Sequence, residues 1–485
     1  MPQLINRFCI SLCTLSTLWV TSAGCVSETV SGTNITAVQT SADPFPPATP
    51  KTVVAVTEKI FPAVVRLDVA QERYQEGKRS LERSIGSGVI IDDEGRILTN
   101  FHVAGRAAEI YITLYNKERV PAKVVGDDHW SDLAVVQMDM KVVREKNIQF
   151  RSATMGTSKT LVTGQDVMAI GTPFGLTRTT TLGIVSNTER TFYPQRQMID
   201  EYETGDFSNW IQMDTPIAPG NSGGPLVDMN GDVIGINTRG FPGQSLNFAI
   251  PIDYAKEVAQ KIMADAASDP KGEKKGHVQR SDLGIEFKPL NELESFYDID
   301  INQGVLVNSV SRGSPAFKAG VRTQDILMQL NGQPINVRFP EELATAKKRI
   351  ADLPIGSDVT LSIKRGKENL TLKTKTDPLE GAVGEERELK AWGLSVRDVT
   401  RSYANENQLD DDEGVVVTTT TPGYAAARAD LQPGDVIRFV DNEPVKDLNV
   451  LFSLYDASVE KKAKQVLIEV TRNRGQRSVV LKVTY

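Results

Sequence analysis

The sequence predicts a mainly β protein: an all-β barrel or sandwich followed by two smaller α+β domains. Two observations predict it. Residues 52–252 are dense in short runs of alternating character, among them "AVVRLDV", "EIYITLYN", "LAVVQMD" and "GDVIGIN". Gly, Asn and Asp punctuate these runs at strand-length spacing. After residue 280 the chain repeats itself. "GVLVNSVSRGSPAFKAGVRTQDILMQLNGQPI" starts at Gly304 and "GVVVTTTTPGYAAARADLQPGDVIRFVDNEPV" at Gly414, an offset of 110 residues. Two copies are too few for a solenoid and read as tandem domains of about 100 residues each.

The totals agree. A chain of 485 residues is too long for one core, and its length suggests about three domains. Hydrophobic content of 40% and charged content of 24% are ordinary for a globular protein. A net charge of −7 gives no reason to expect nucleic acid or an anionic membrane as partner. The three cysteines, Cys9, Cys13 and Cys25, all lie in the first 25 residues. Disulfides, thiol catalysis and thiolate metal sites are therefore excluded from the body of the chain. Three histidines, His102, His129 and His277, argue against a histidine-rich metal site.

Residues 1–25 read as an export signal. Arg7 precedes the apolar run "FCISLCTLSTLWV", which is too short to span a bilayer. Two processing outcomes fit: cleavage after Ala23, or cleavage before Cys25 with lipid added to that cysteine. Residues 26–51, rich in Ser, Thr, Pro and Ala, read as a disordered tether. The strand-rich domain spans 52–266 and closes on one helix candidate, "IDYAKEVAQKIMADA". A polar linker follows at 267–281. The first repeat spans 282–376, a second linker 377–388, and the second repeat 389–485.

Each repeat offers strands, a short helix ("SPAFKAG", "YAAARAD") and a longer amphipathic segment ("PEELATAKKRIADL", "LNVLFSLYDAS"). Each closes on a strand pair turned at "RGKEN" or "NRGQR".

Chemistry concentrates at "PIAPGNSGGPLVDMNGDVIGINT", residues 216–238, where Gly220, Gly223 and Gly224 crowd Ser222. A serine among glycines is an ordinary turn. It becomes a nucleophile only when a base takes its proton, usually a histidine held by a carboxylate. His277 lies in the linker, His129 in the acidic loop "GDDHWSD", and His102 in "ILTNFHVAG" at the end of an apolar strand. The stretches "TNFHV", "SDLAVV" and "GNSGGPL" then follow in the order His, Asp, Ser, which is the trypsin-like order.

With these motifs, the repeat, "AIGTPFGLTRTTTLGIVS" and "NFAIPID", nearly the whole chain resembles the HtrA (DegP or Deg) family of serine proteases. The resemblance implies a trypsin-like double β-barrel protease domain followed by two PDZ domains. It makes Ser222 the nucleophile, His102 the general base and Asp132 the residue that orients it. Asp132 is preferred to Asp127 and Asp128 because it alone sits in "SDLA". The N–H groups of Gly220 and Ser222 would form the oxyanion hole. Pro216, six residues before the nucleophile, sits where an acid would select Arg or Lys. Ile217 and Leu246 suggest an apolar pocket, and Arg239 would narrow it.

In the repeats, the loops Leu283-Gly284-Ile285 and Trp392-Gly393-Leu394 would hold peptide C-termini, which add as a strand beside a helix. Asp430 stands where the first repeat has Gly320, and either domain could instead only hold an oligomer together. The family departures are Pro216, Ile217 and Ala218 before "PGNSGG". The long connection 189–210 would relay peptide binding to the active site. The charged segment 71–84 would cover the site or meet a neighbouring subunit. The resemblance further implies an exported, ATP-independent endopeptidase of misfolded or unassembled envelope proteins, a trimer or a multiple of it, needing no metal or cofactor. Two rivals remain open: a catalytically silent chaperone on the same fold, and a narrow processing protease.

Overall fold

The computed structural model describes residues 44–172, 179–195, 197–199, 202–241, 243–269, 275–291, 293–297, 299–300, 302–381 and 383–484. The export signal, all three cysteines and most of the expected tether lie outside the described residues.

Helix α1 (Pro50–Ile60) begins before the expected end of that tether. Thr49 caps it by accepting the Thr52 N–H at 3.1 Å, and Pro50 occupies its first turn. Its Val-rich sequence concealed it, because β-branched residues are weak helix formers. Packing decides instead: Val56 and Ile60 are buried in the main core.

The first sheet closes on itself. It holds β1 (Val64–Gln75), β2 (Lys78–Ile90), β3 (Arg96–Thr99), β4 (Ala107–Thr113), β5 (Arg119–Asp128) and β6 (Leu133–Met138). They run β5-β4-β1-β2-β3-β6, and β5 pairs again with β6. The short α2 (Phe101–Ala104) follows β3, and α3 (Met140–Glu145) follows β6. β1 and β2 stay paired from Val64↔Val89 out to Gln75↔Lys78. The outer half of β2 is exposed while Gly86–Ile90 is buried, so this hairpin projects beyond the barrel.

The second barrel is built from β7 (Asp166–Gly171), β8 (Thr179–Arg190), β11 (Trp210–Met213), β12 (Pro225–Asp228), β13 (Val233–Phe241) and β14 (Leu246–Pro251). A small hairpin, β9 (Gln197–Ile199) and β10 (Tyr202–Thr204), rises from the long connection between β8 and β11. One apolar cluster joins the barrels: Leu98 and Leu133 meet Met168, Ile170 and Phe248. Each such fully buried side chain stabilises the fold by about 1.5–3 kcal/mol. α4 (Ile252–Ala267) is the expected closing helix, and its buried residues Ile252, Ala255, Val258, Ala259 and Ile262 keep helical spacing.

The next segment corrects an expectation. Residues 275–281, expected as part of a polar linker, carry structure: β15 (Gly276–His277) adds in parallel to β5, and Arg280 is buried. The first repeat then forms β16 (Ser281–Asp282), β17 (Ile285–Lys288), β18 (Val305–Val310), α5 (Pro315–Lys318), β19 (Ile326–Leu330), β20 (Gln333–Pro334), α6 (Leu343–Ala351), β21 (Asp358–Arg365) and β22 (Glu368–Lys375). Its main sheet runs β17-β18-β19-β21-β22, leaving β17 as an edge strand.

The linker expected at 377–388 also carries structure. β23 (Asp377–Pro378) pairs with β16, and β24 (Glu386–Leu389) belongs to the second repeat. That repeat continues with β25 (Leu394–Asp398), α7 (Arg401–Glu406), β26 (Val415–Thr420), α8 (Ala425–Arg428), β27 (Val436–Val440), β28 (Glu443–Pro444), α9 (Leu448–Glu460), β29 (Gln465–Arg472) and β30 (Gly475–Lys482). The aligned aspartates of the two repeats do the same work. Asp325 is buried against Arg365 on β21 at 2.7 Å, and Asp435 against Arg472 on β29 at 2.5 Å.

Candidate active site

Asp132 follows a 3-10 turn, His129–Ser131, that links β5 to β6. It takes a left-handed backbone (φ 56°) that Asp tolerates better than most residues, and it is fully buried. Its carboxylate lies 2.9 and 3.0 Å from His102 Nδ1. It also accepts the His102 backbone N–H at 3.1 Å and the Thr238 hydroxyl at 2.6 Å. His102 sits on α2 and is held from behind: the buried Gln71 of β1 donates through Nε2 to the His102 carbonyl at 2.8 Å and the Val103 carbonyl at 2.7 Å.

Ser222 arrives from the other barrel. Its backbone is fixed across the interface, where the Ser87 N–H donates to the Ser222 carbonyl at 2.9 Å and Ser87 Oγ to the Gly220 carbonyl at 2.6 Å. Its hydroxyl donates to the Thr238 carbonyl at 2.9 Å. Gly220 has φ +105°, a backbone only glycine adopts cheaply. The three residues of the sequence motifs are therefore brought to one seam, tied by Thr238. Neither rival acid is there: Asp128 pairs with Arg280, and Asp127 lies 3.6 Å from His277.

Of the residues expected at the pocket, Pro216 is exposed and its carbonyl accepts the Thr181 hydroxyl at 2.9 Å. Ile217 packs against the core of the second barrel. Leu246 pairs with Phe241 across β13 and β14. Arg239 turns toward β9, donating to Gln197 Oε1 at 2.9 Å with its guanidinium 5.7 Å from the Phe241 ring centre.

The long connection 189–210 meets the first repeat. Asp206 pairs with Lys347 of α6 at 3.1 Å, and Asn209 donates to the Glu341 carbonyl at 2.7 Å. Phe207 stacks under the Arg280 guanidinium at 4.6 Å. Arg280 thus joins this connection to Asp128, four residues before Asp132, and stands four residues before Gly284. Leu283 is buried, and its carbonyl accepts the Ala316 N–H at 3.0 Å. Ile285 opens the edge strand β17. Burial pushes the Asp282 carboxyl up, opposed by hydrogen bonds from the Gly284 and Leu283 N–H groups. In the second repeat, Trp392 and Leu394 are fully buried, and β25 is already paired with β24 along the edge a peptide would use.

Sequence reasoning missed Thr238, Gln71 and Arg280. Thr238 is the last residue of the quoted "GINT", while the other two carried no local signal.

Comparison with known proteins places these features in a series. Residues 86–236 match the trypsin-like peptidase domain family, and residues 281–376 and 384–464 each match a PDZ domain family. A "probable periplasmic serine endoprotease DegP-like" of Chlamydia trachomatis serovar D is 32% identical over 419 residues, covering 84% of this chain and 77% of that protein. A protein of the same name from Pseudomonas savastanoi pv. phaseolicola is 35% identical over 386 residues, covering 76% and 73%. Among solved structures, an "HtrA-type protease AlgW with tripeptide" superposes with a TM-score of 0.56 at 31% identity, covering 67% of this chain and 97% of that one.

Proposed function

Because the chain belongs to the HtrA/DegP-like family of serine endoproteases, we propose that it degrades misfolded or unassembled proteins of the cell envelope without ATP. The observation that carries this reading is the set of bonds joining His102, Asp132, Thr238 and Ser222. In the proposed mechanism Ser222 Oγ turns from the Thr238 carbonyl to His102 Nε2. His102 takes its proton as the oxygen attacks the scissile carbonyl. Asp132, held by Thr238, keeps the imidazole oriented and offsets the imidazolium charge. The N–H groups of Gly220 and Ser222 receive the oxyanion. His102 then returns the proton to the leaving amine, and water hydrolyses the acyl-enzyme. An apolar residue would occupy the pocket walled by Ile217 and Leu246 above Pro216, with Arg239 at its side.

Peptide C-termini engage the first PDZ domain at Leu283-Gly284-Ile285, along β17 and α6. The contacts Asp206–Lys347 and Asn209–Glu341 support a relay from that groove through the 189–210 connection and Arg280 to the turn carrying Asp132. The relatives' names support a periplasmic location; the trimer and a lipid on Cys25 rest on family likeness and on the "AGC" sequence.

Labelling with a fluorophosphonate tests the reading. The parent chain should label on Ser222, and His102→Ala should label far more slowly. A folded parent that does not label would leave the silent chaperone in its place.

A further inference from the structure

We propose that the second PDZ domain is a receptor for the protease domain's own β1–β2 hairpin. Its peptide groove is filled by the chain's residues Glu386–Leu389, so free C-terminal peptides bind at the first PDZ domain alone. The inference goes beyond the proteolytic reading and does not depend on it.

A PDZ ligand adds as a strand between an edge strand and a helix. In the first repeat, among the described residues, no strand pairs with the outer edge of β17. In the second, β24 lies antiparallel along β25, from Glu386↔Arg397 to Leu389↔Leu394. Side chains on one face of β24 then do what a ligand's would. Leu389 is fully buried in the cluster that contains Leu448 and Leu451 of α9, and the Arg387 guanidinium stands 5.4 Å from the Phe452 ring centre. The loop between β24 and β25 is pinned too, with the Ala391 N–H donating to the Tyr455 hydroxyl at 3.0 Å. An incoming peptide would have to break this pairing and expose Leu389.

The opposite face of the same sheet holds the hairpin. The Gly77 N–H donates to Thr419 Oγ1 at 2.7 Å, the Thr421 hydroxyl to the Glu76 carbonyl at 2.6 Å, and the Arg79 N–H to Glu388 Oε2 at 3.2 Å. Lys78 Nζ stands 5.5 Å from the Tyr424 ring centre. The fit requires glycine: Gly77 has φ +69°, and a Cβ there would lie 2.6 Å from Thr421 Oγ1 and 3.0 Å from the Gly393 carbonyl. Glu388 makes the two features one device, because the hairpin bonds the strand that fills the groove. The hairpin is also continuous with the active site, since β1 carries Gln71, which holds the backbone of His102.

Hydrogen exchange of the full chain carrying Ser222→Ala tests the proposal. Adding Gly77→Arg should speed exchange at residues 77–83 and at Glu386–Leu389 by about tenfold or more, leaving Ile285–Lys288 unchanged. Thr419→Val, a milder variant, should act in the same direction. Unchanged exchange at both segments in both variants would overturn the proposal. A labelled decapeptide ending in an apolar residue gives a second readout. Gly284→Asp should remove its binding, and a site persisting in that variant would show that the second groove is open.

Discussion

Thr238 Oγ1 lies 2.6 Å from Asp132 Oδ2, and the carbonyl of the same threonine accepts the Ser222 hydroxyl at 2.9 Å. One residue of β13 therefore touches both ends of the proposed triad. The side chain bonds the carboxylate, while the main chain holds the serine hydroxyl.

Thr238→Val separates the two contacts, because it keeps the carbonyl and removes the hydroxyl. A hydrogen bond to a charged group contributes about 1.5–3 kcal/mol. The expected loss in kcat/KM is therefore about 10- to 150-fold, read with a fluorogenic peptide. The thermal midpoint is monitored alongside, so that unfolding is not mistaken for lost chemistry.

Gln71→Leu leaves the carbonyls of His102 and Val103 without their amide donor. Each buried acceptor left unpaired costs about 1–3 kcal/mol. The expected outcome is a lower kcat with KM nearly unchanged, and a lower thermal midpoint. Normal kcat in a destabilised protein would make Gln71 purely a packing residue.

Asp206→Lys sets like charges against Lys347. Both groups are about one-third exposed (35% and 30%), and pairs of that kind contribute about 0.2–1 kcal/mol. Peptide stimulation should weaken by a few-fold, while cleavage without peptide stays unchanged. Stimulation unaffected by this change and by Asn209→Ala would argue against the relay.

His129 predicts a pH effect. Burial holds its imidazole below the ordinary value of 6.5, opposed by Asp128 and Asp127 and reinforced by Arg280. Between the folded and unfolded pKa values the unfolded chain binds the extra proton. Stability therefore falls as pH drops below about 6.5. His277 has the opposite sign. The Asp127 carboxylate, 3.6 Å away, raises its pKa, so its contribution is present below about pH 6.5 and is lost as pH rises through the folded value. His129→Phe keeps an aromatic ring beside Phe101 and Tyr202. It should flatten the fall in thermal midpoint between about pH 7 and about pH 5.5.

What the sequence made legible was local. "TNFHV", "SDLAVV" and "GNSGGPL" carry their chemistry within a few residues, and the 110-residue repeat reports itself. The rest depends on meetings between distant segments. Arg280 reads as part of a charged linker until Asp128 and Phe207 close round it. Glu386, Arg387 and Glu388 read as the end of a linker because all three are charged, yet with the fully buried Leu389 they form a strand. α1 hid for the opposite reason: its valines suggest a strand, and its cap and buried face make a helix.

Degradation of unfolded casein by the purified chain tests the central claim most directly, run beside Ser222→Ala and with or without a peptide ending in apolar residues. The account predicts cleavage at many sites, its loss in Ser222→Ala, and faster cleavage when the peptide is added. If the parent cuts nothing under either condition while both proteins suppress aggregation equally, the catalytic account is contradicted.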